Sequence, residues 1–378
     1  MIPHPRPLID VLEEIPDFRK ARGKRYGLAS ILALACCAML CGYRSYSAMA
    51  EWGRHYGARL AQALGFERST PCAATLHTIF RHLDLAAFEA TLSQWAESVV
   101  KHTEGASETR HRAVAIDGKT LRGSKKQGAA GAHLLSALAH DLGLTLAQEA
   151  VDDKTNEIGA VATLLERLVL SDRVITMDAL LTQRSVAHHI VGSGGDYVML
   201  AKDNQPSLRA DIELVFASPP WGDMQETAQS FDIGHGRIEQ RTITTSSAPG
   251  SYSGWAGSSQ VFKIERCTML SKKATERLEV VYGITSLSRQ RATPAELLHL
   301  VRGQWRIENQ SHWVRDVTFD EDRSQVRCGS IAQVMAALRN TAIGLLRQAG
   351  YTNIARACRK MAARPKLALA LIGIEMEN

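Results

Sequence analysis

No two cysteines in this chain are spaced C-x-x-C. Of the seven, Cys36, Cys37 and Cys41 share an apolar run, and Cys72, Cys267, Cys328 and Cys358 are scattered. That argues against a zinc site. The odd count and the scatter fit reduced thiols in a cytosol. A membrane span is lacking too. The most apolar run, residues 28–42, is too short to cross a bilayer. It also starts behind a charged segment, too far along for an ordinary signal peptide. It reads as a buried helix of a soluble protein. Internal repeats and low-complexity tracts are absent as well, which argues against a solenoid.

What is present is ordinary in bulk. The 378 residues are 45% hydrophobic and 22% charged, enough for two or three domains with ample core. A net charge of +6 and a pI near 8.9 favour an anionic partner.

The pattern changes along the chain. Residues 1–105 carry helical spacing throughout and predict an all-helical N-terminal domain. Arg19, Lys20, Arg22, Lys24 and Arg25 cluster ahead of the apolar helix, as a solvated flank or a phosphate contact. Thr75, Arg81 and His82 lie on a short helix that fits a helix-turn-helix reader or a plain bundle. After a polar linker at 101–112, strands alternate with helices. The order is β-β-β-α-β-α-β through residue 218, as expected of a ribonuclease H-like domain. Residues 219–290 are rich in glycine, with alternating stretches at 237–246, 260–269 and 278–286, and predict a β-rich insertion. Helical spacing resumes at Thr293-Pro-Ala-Glu296, a capping box with proline at the first helical position. The segment 291–350 completes the core, and 351–378 is a basic tail.

Three acids carry the candidate chemistry. The run Ala113-Val-Ala-Ile116 predicts a fully buried strand, with Asp117 at its open end. Asp117-Gly118 is equally a hairpin-turn signal. Arg173–Met177 predicts a second buried strand, ending at Asp178. In the helix after Thr293, Leu297, Val301, Trp305, Glu308, His312 and Asp316 form one stripe at steps of 4, 4, 3, 4 and 4. Its apolar start points Glu308 toward the interior or a cleft rim. A buried carboxylate needs a partner there, either an arginine or a metal ion. If the strand ends converge, Asp117, Asp178 and Glu308 make an oxygen site of the kind magnesium accepts.

The wording around these acids resembles the bacterial insertion-sequence DDE transposases that include the H-repeat-associated proteins. The resemblance rests on Asp117-Gly-Lys-Thr-Leu-Arg-Gly-Ser124, Val174-Ile-Thr-Met-Asp-Ala179, Lys202-Asp-Asn-Gln-Pro206, His235-Gly-Arg-Ile-Glu-Gln-Arg241 and Trp305-Arg-Ile-Glu-Asn-Gln-Ser-His-Trp313. It continues through Asp316–Asp322 and includes Ile15-Pro-Asp-Phe-Arg19 near the N-terminus. It implies a ribonuclease H-like core and a catalytic, metal-holding triad of Asp117, Asp178 and Glu308. The cofactor would be Mg2+, with Mn2+ able to take its place. It also implies cutting at transposon ends and joining of the 3′-hydroxyl to target DNA, by phosphoryl transfer between two ions about 4 Å apart. The expected partner is double-stranded DNA, bound by a homodimer, in the cytoplasm with the nucleoid and without membrane contact. Lys119, Arg122, Arg237, Arg302 and Arg306 are candidate DNA contacts. Trp305 and Trp313 could stack on an unpaired base or pack in the core. Many relatives carry a Tyr, Arg, Glu, Lys signature around the last acid. Here Val301 and Gln304 fill the first two slots and Arg315 the last. That departure leaves Asp316 as a rival to Glu308. The alternatives are a catalytically silent DNA-binding derivative and a simple nuclease of the same fold.

Overall fold

A computed structural model of the chain describes residues 6–104, 111–125, 131–151, 157–234, 236–248, 254–270 and 273–376. His235, Lys126, Gly128 and most of the expected linker lie outside the described residues.

In chain order, six helices come first: α1 (Leu8–Glu13), α2 (Leu28–Leu40), α3 (Tyr46–His55), α4 (Gly57–Ala63), α5 (Ala73–His82) and α6 (Leu85–Glu104). Then follow β1 (Arg112–Thr120), β2 (His133–Ala139), β3 (Leu144–Val151), α7 (Glu157–Glu166), β4 (Arg173–Met177), α8 (Arg184–Gly192), β5 (Asp196–Ala201) and α9 (Pro206–Ala217). Four long strands come next: β6 (Glu226–Gly234), β7 (Arg237–Ser246), β8 (Gln260–Leu270) and β9 (Lys273–Thr285). The chain closes with α10 (Pro294–Ile307), a π-turn (Glu308–His312), α11 (Trp313–Val317), α12 (Ile331–Gln348), α13 (Ile354–Ala363) and α14 (Pro365–Leu371). The protein is therefore mixed α/β with a helical N-terminal region.

These elements form two compact units, one of residues 1–109, 118–156 and 307–378, the other of 110–117 and 157–306.

The first unit is built on two helices. The apolar run of α2 is buried along its length, as its composition requires. α12 packs against α2, α5, α6, α13 and β3. Its expected apolar face, Ile331, Val334, Met335, Leu338 and Leu345, is buried. Its opposite side is buried as well, because Arg339 and Asn340 find polar partners there. Arg339 reaches Glu321 at 2.9 Å, and Asn340 reaches Gln148 of β3 at 3.1 Å. The chain ends are tied in by Ile9, whose N–H donates to the Ile372 carbonyl, and by Tyr56, whose hydroxyl donates to the Ala362 carbonyl.

The second unit is a seven-stranded sheet in the order β1-β4-β5-β9-β8-β7-β6. β1, β4 and β5 are parallel and form its buried heart. Ala113, Val114, Ala115 and Ile116 are all under 8% exposed, so β1 has no wet face. β9 then pairs antiparallel with β5, and β8, β7 and β6 follow as a meander. The strands after residue 225 thus prolong the same sheet. β7 matches its expected span. β6 was not expected, because Glu226–Gly234 has only three apolar residues and two of them, Phe231 and Ile233, are exposed. α10 lays Leu297, Leu298 and Leu300 on the sheet beside Val174, Val198 and Phe262.

Candidate active site

β1 does not turn at Asp117-Gly118. It runs on to Thr120, which removes the hairpin reading. Ile116 lies opposite Met177 in the parallel pairing of β1 with β4. Asp117, inside β1, and Asp178, just after β4, each follow this pair, so the two acids sit at adjacent positions.

Asp178 is held by its surroundings. It caps a short 3-10 turn, its Oδ1 accepting the Ala179 N–H at 2.7 Å. Lys202 donates to the same oxygen at 3.0 Å. Asn204 donates to the Ala179 carbonyl, and Gln205 to the Thr182 carbonyl at 3.0 Å. The segment Lys202-Asp-Asn-Gln-Pro206 therefore fixes the loop that presents the second acid. The sequence marked this segment but gave none of these residues a role.

The helix bearing the third acid departs from the expected single stripe. A step of four residues overshoots a helical turn by about 40°. Two such steps swing Trp305 away from Leu297, and Trp305 is 62% exposed while Leu297 is fully buried. The buried face is instead Leu297, Leu300, Gln304 and Ile307. Gln304 faces the strands. It donates to the Ile116 carbonyl at 2.8 Å and accepts from the Thr176 hydroxyl at 2.6 Å. The last turn of α10 is thus pinned to both acid-bearing strand ends within one unit.

Glu308 follows Gln304 by four residues and opens the π-turn. Such turns insert an extra residue into a helix and recur at functional sites. Here the turn buries His312 while Glu308 stays about half exposed. The His312 Nδ1 lies 3.2 Å from a Glu308 oxygen. That hydrogen bond, against a smaller opposing effect of burial, holds the Glu308 carboxyl below the usual range.

Asp316, the rival acid, is taken by Lys119 at 2.6 Å. Lys119 is buried, and Asp322 lies 4.0 Å from its ammonium. Arg122 is 81% exposed, with Asp322 at 3.7 Å. Arg315 is fully buried against Glu321 at 2.8 Å, and Arg339 meets the other Glu321 oxygen at 2.9 Å. Burial raises the Glu321 carboxyl, but the two guanidinium charges outweigh it and hold the group ionised below the usual range. In the second unit, Arg302 and Arg241 share Asp232, and Arg237 and Arg241 share Glu239. Arg306 is half-buried at the end of α10. Trp313, like Trp305, is exposed, so neither tryptophan is a core residue.

Within the first unit, Glu308 and His312 offer a carboxylate and an imidazole, donor types able to hold a divalent ion. Carboxylate oxygens suit magnesium or manganese. Among the described residues no helix is long and apolar enough to cross a membrane.

Comparison with known proteins agrees with this chemistry. Residues 9–96 match the family described as DDE_Tnp_1-associated, and residues 108–345 match the family described as Transposase DDE domain. The chain is 30% identical over 355 residues to YncI of Escherichia coli O157:H7, a candidate transposase by name, covering 90% of this chain and 87% of that one. It is 28% identical over 348 residues to the H repeat-associated candidate transposase YhhI of Escherichia coli K12, covering 90% of each. A solved piggyBac transposase in a synaptic complex with hairpin DNA overlaps 97% of this chain and 78% of its own. The TM-score of 0.43 and 11% identity are too low to carry an argument about the fold. With a family match over residues 108–345, this chain belongs to the transposase DDE-domain family.

Proposed function

We propose that the chain is an active DNA transposase with a ribonuclease H-like core and a catalytic triad of Asp117, Asp178 and Glu308. The observation that carries this reading is the double hydrogen bond of Gln304. It ties β1 and β4, just ahead of Asp117 and Asp178, to the last turn of α10.

The three carboxylates would hold Mg2+, or Mn2+ in its place, which supplies Lewis acidity to phosphate oxygens and lowers the pKa of an attacking hydroxyl. The chain's own groups prepare that site. Lys202 orients the Asp178 carboxylate. The His312 ring keeps Glu308 in its charged form. Lys119 takes Asp316 out of competition for the ion. Arg122, being exposed, is the first phosphate contact we assign, and Arg306 the second. Lys119, buried against Asp316, lends its positive charge to the same region. Arg237 and Arg302 contact DNA from a network with more guanidinium than carboxylate groups.

The reaction exchanges one P–O bond for another. Water cleaves a phosphodiester at the transposon end and leaves a 3′-hydroxyl. That hydroxyl attacks a target phosphodiester and releases the target's own 3′-oxygen. Two ends cut together call for a homodimer on double-stranded DNA.

The test is Asp117→Asn, assayed on a duplex carrying the element's terminal inverted repeat with Mg2+ present. The substitution abolishes cleavage and leaves duplex binding within a few-fold of the parent. Cleavage at the parent rate in this variant would remove Asp117 from the triad.

A further inference from the structure

A cleft of ≈ 820 Å³ opens in the first unit. Residues just after α2, the π-turn, α11, the end of α12 and α13 surround it. Three arginines line it, Arg44, Arg347 and Arg359; Arg44 has Asp320 at 3.7 Å, and none of the lining residues is an aspartate or glutamate. The two thiols in its wall, Cys41 and Cys358, are pushed up by burial to about 12 and about 11, so they stay neutral. The cleft is therefore cationic.

Its shape and remaining chemistry narrow the ligand. Trp313 stands in the wall with 55% of its surface exposed. Asn309 and Gln310 add amide groups from the π-turn, directly after Glu308. Arg347 is already partly spent. Its Nη2 donates to the Gln310 carbonyl at 2.7 Å, while its buried Nε finds no hydrogen-bond partner among the described residues. An exposed aromatic face, cationic groups and amides within one cleft are the elements of a single-stranded nucleic-acid site. The volume falls in the range of small-molecule sites and suits one or two nucleotides.

We propose that this cleft binds unpaired DNA, with a base stacked on Trp313 and the adjoining phosphates on the arginines. The proposal rests on the transposase reading and adds to it a strand-separated subsite on the element that bears Glu308. An acidic peptide would use the arginines and leave Trp313 without a stacking partner.

The test measures binding of a short fluorescent oligothymidylate to the full chain by anisotropy. Trp313→Ala weakens it by roughly tenfold, the loss of one stacked base. Trp313→Phe restores most of the affinity, which a merely structural role for the indole would not predict. Arg359→Gln lowers the dependence of log K on log salt by about 0.7, the value of one single-strand phosphate contact. An oligomer abasic throughout binds the parent as weakly as the normal one binds Trp313→Ala. Unchanged binding in Trp313→Ala, or equal binding of the abasic oligomer, overturns the proposal. Competition by polyglutamate as strong as that by unlabelled oligothymidylate overturns it as well. The two readings fail separately. Loss of the Trp313 effect with intact duplex cleavage sinks only the subsite. Trp313-dependent binding in a protein that cleaves no duplex sinks only the transposase.

Discussion

The side-chain amide of Gln304 donates to the backbone carbonyl of Ile116 across 188 residues of chain, at 2.8 Å. The same side chain accepts from Thr176. One buried amide therefore sets the distance between a helix and two strands.

Gln304→Ala leaves the Ile116 carbonyl and the Thr176 hydroxyl without this partner. Unmaking buried hydrogen bonds costs about 1–3 kcal/mol. We expect modest destabilisation and a much larger loss of cleavage rate, with DNA affinity little changed. Thr176→Val, which removes only one of the two bonds, gives the smaller defect. Melting curves, single-turnover cleavage and equilibrium binding on the same preparations check this. Equal losses in all three would reduce Gln304 to a packing residue.

Glu308 owes its depressed pKa first to the hydrogen bond with His312. His312→Ala should raise it toward the ordinary carboxylate value. The sign for stability follows from the depression. The contribution is present above the unfolded pKa of the carboxyl and disappears as pH falls through the lower folded value. In the variant the contribution is smaller and its loss is complete at a higher pH. A carboxyl chemical-shift titration of metal-free protein reads the shift directly, and identical curves for parent and variant would refute it.

Glu321 sits between Arg315 and Arg339, all three almost completely buried. Glu321→Gln removes the only carboxylate between two guanidinium groups. Breaking a buried ion pair from one side costs about 3–5 kcal/mol. A fall in Tm on the order of 10 °C should follow. A fall of one or two degrees would mean that water reaches these charges on relaxation.

Gly283 on β9 shows the tightest packing in the long meander. A methyl group there would meet the Phe262 ring and lie 2.7 Å from the Met199 carbonyl oxygen. Gly283→Ala should destabilise by about 1–3 kcal/mol through overpacking. Gly234→Ala, with nothing within 4 Å, is the control and should be close to neutral. Denaturant midpoints of the two variants make the comparison, and equal midpoints would contradict it.

Much of this was legible from the chain alone, and the reasons differ by residue. Ala113–Ile116 and Arg173–Met177 are short apolar runs without alternation, and only a strand buried on both faces uses such a pattern. Each run is followed by an acid, but only Asp178 stands at a strand end, because β1 continues past Asp117 to Thr120. β6 escaped notice because Glu226–Gly234 holds only three apolar residues, Ala228, Phe231 and Ile233, too few to mark a buried face. Trp305 was misplaced because steps of four residues drift around a helix, and the drift shows only when the core's position is known.

The sequence by itself determined the order of strands and helices from β1 to β5, the three candidate acids and the family. All of these depend on local pattern and local wording. Only the tertiary structure decided which partner each charged group takes. Lys119 pairs with Asp316 across 197 residues, Glu321 lies between Arg315 and Arg339, and Gln304 clasps Ile116 and Thr176. In a chain with 45 Lys and Arg and 39 Asp and Glu, side-chain type leaves these pairings open. They are settled by which backbones the core brings within hydrogen-bonding reach, and by the cost of burying any charge that finds no partner.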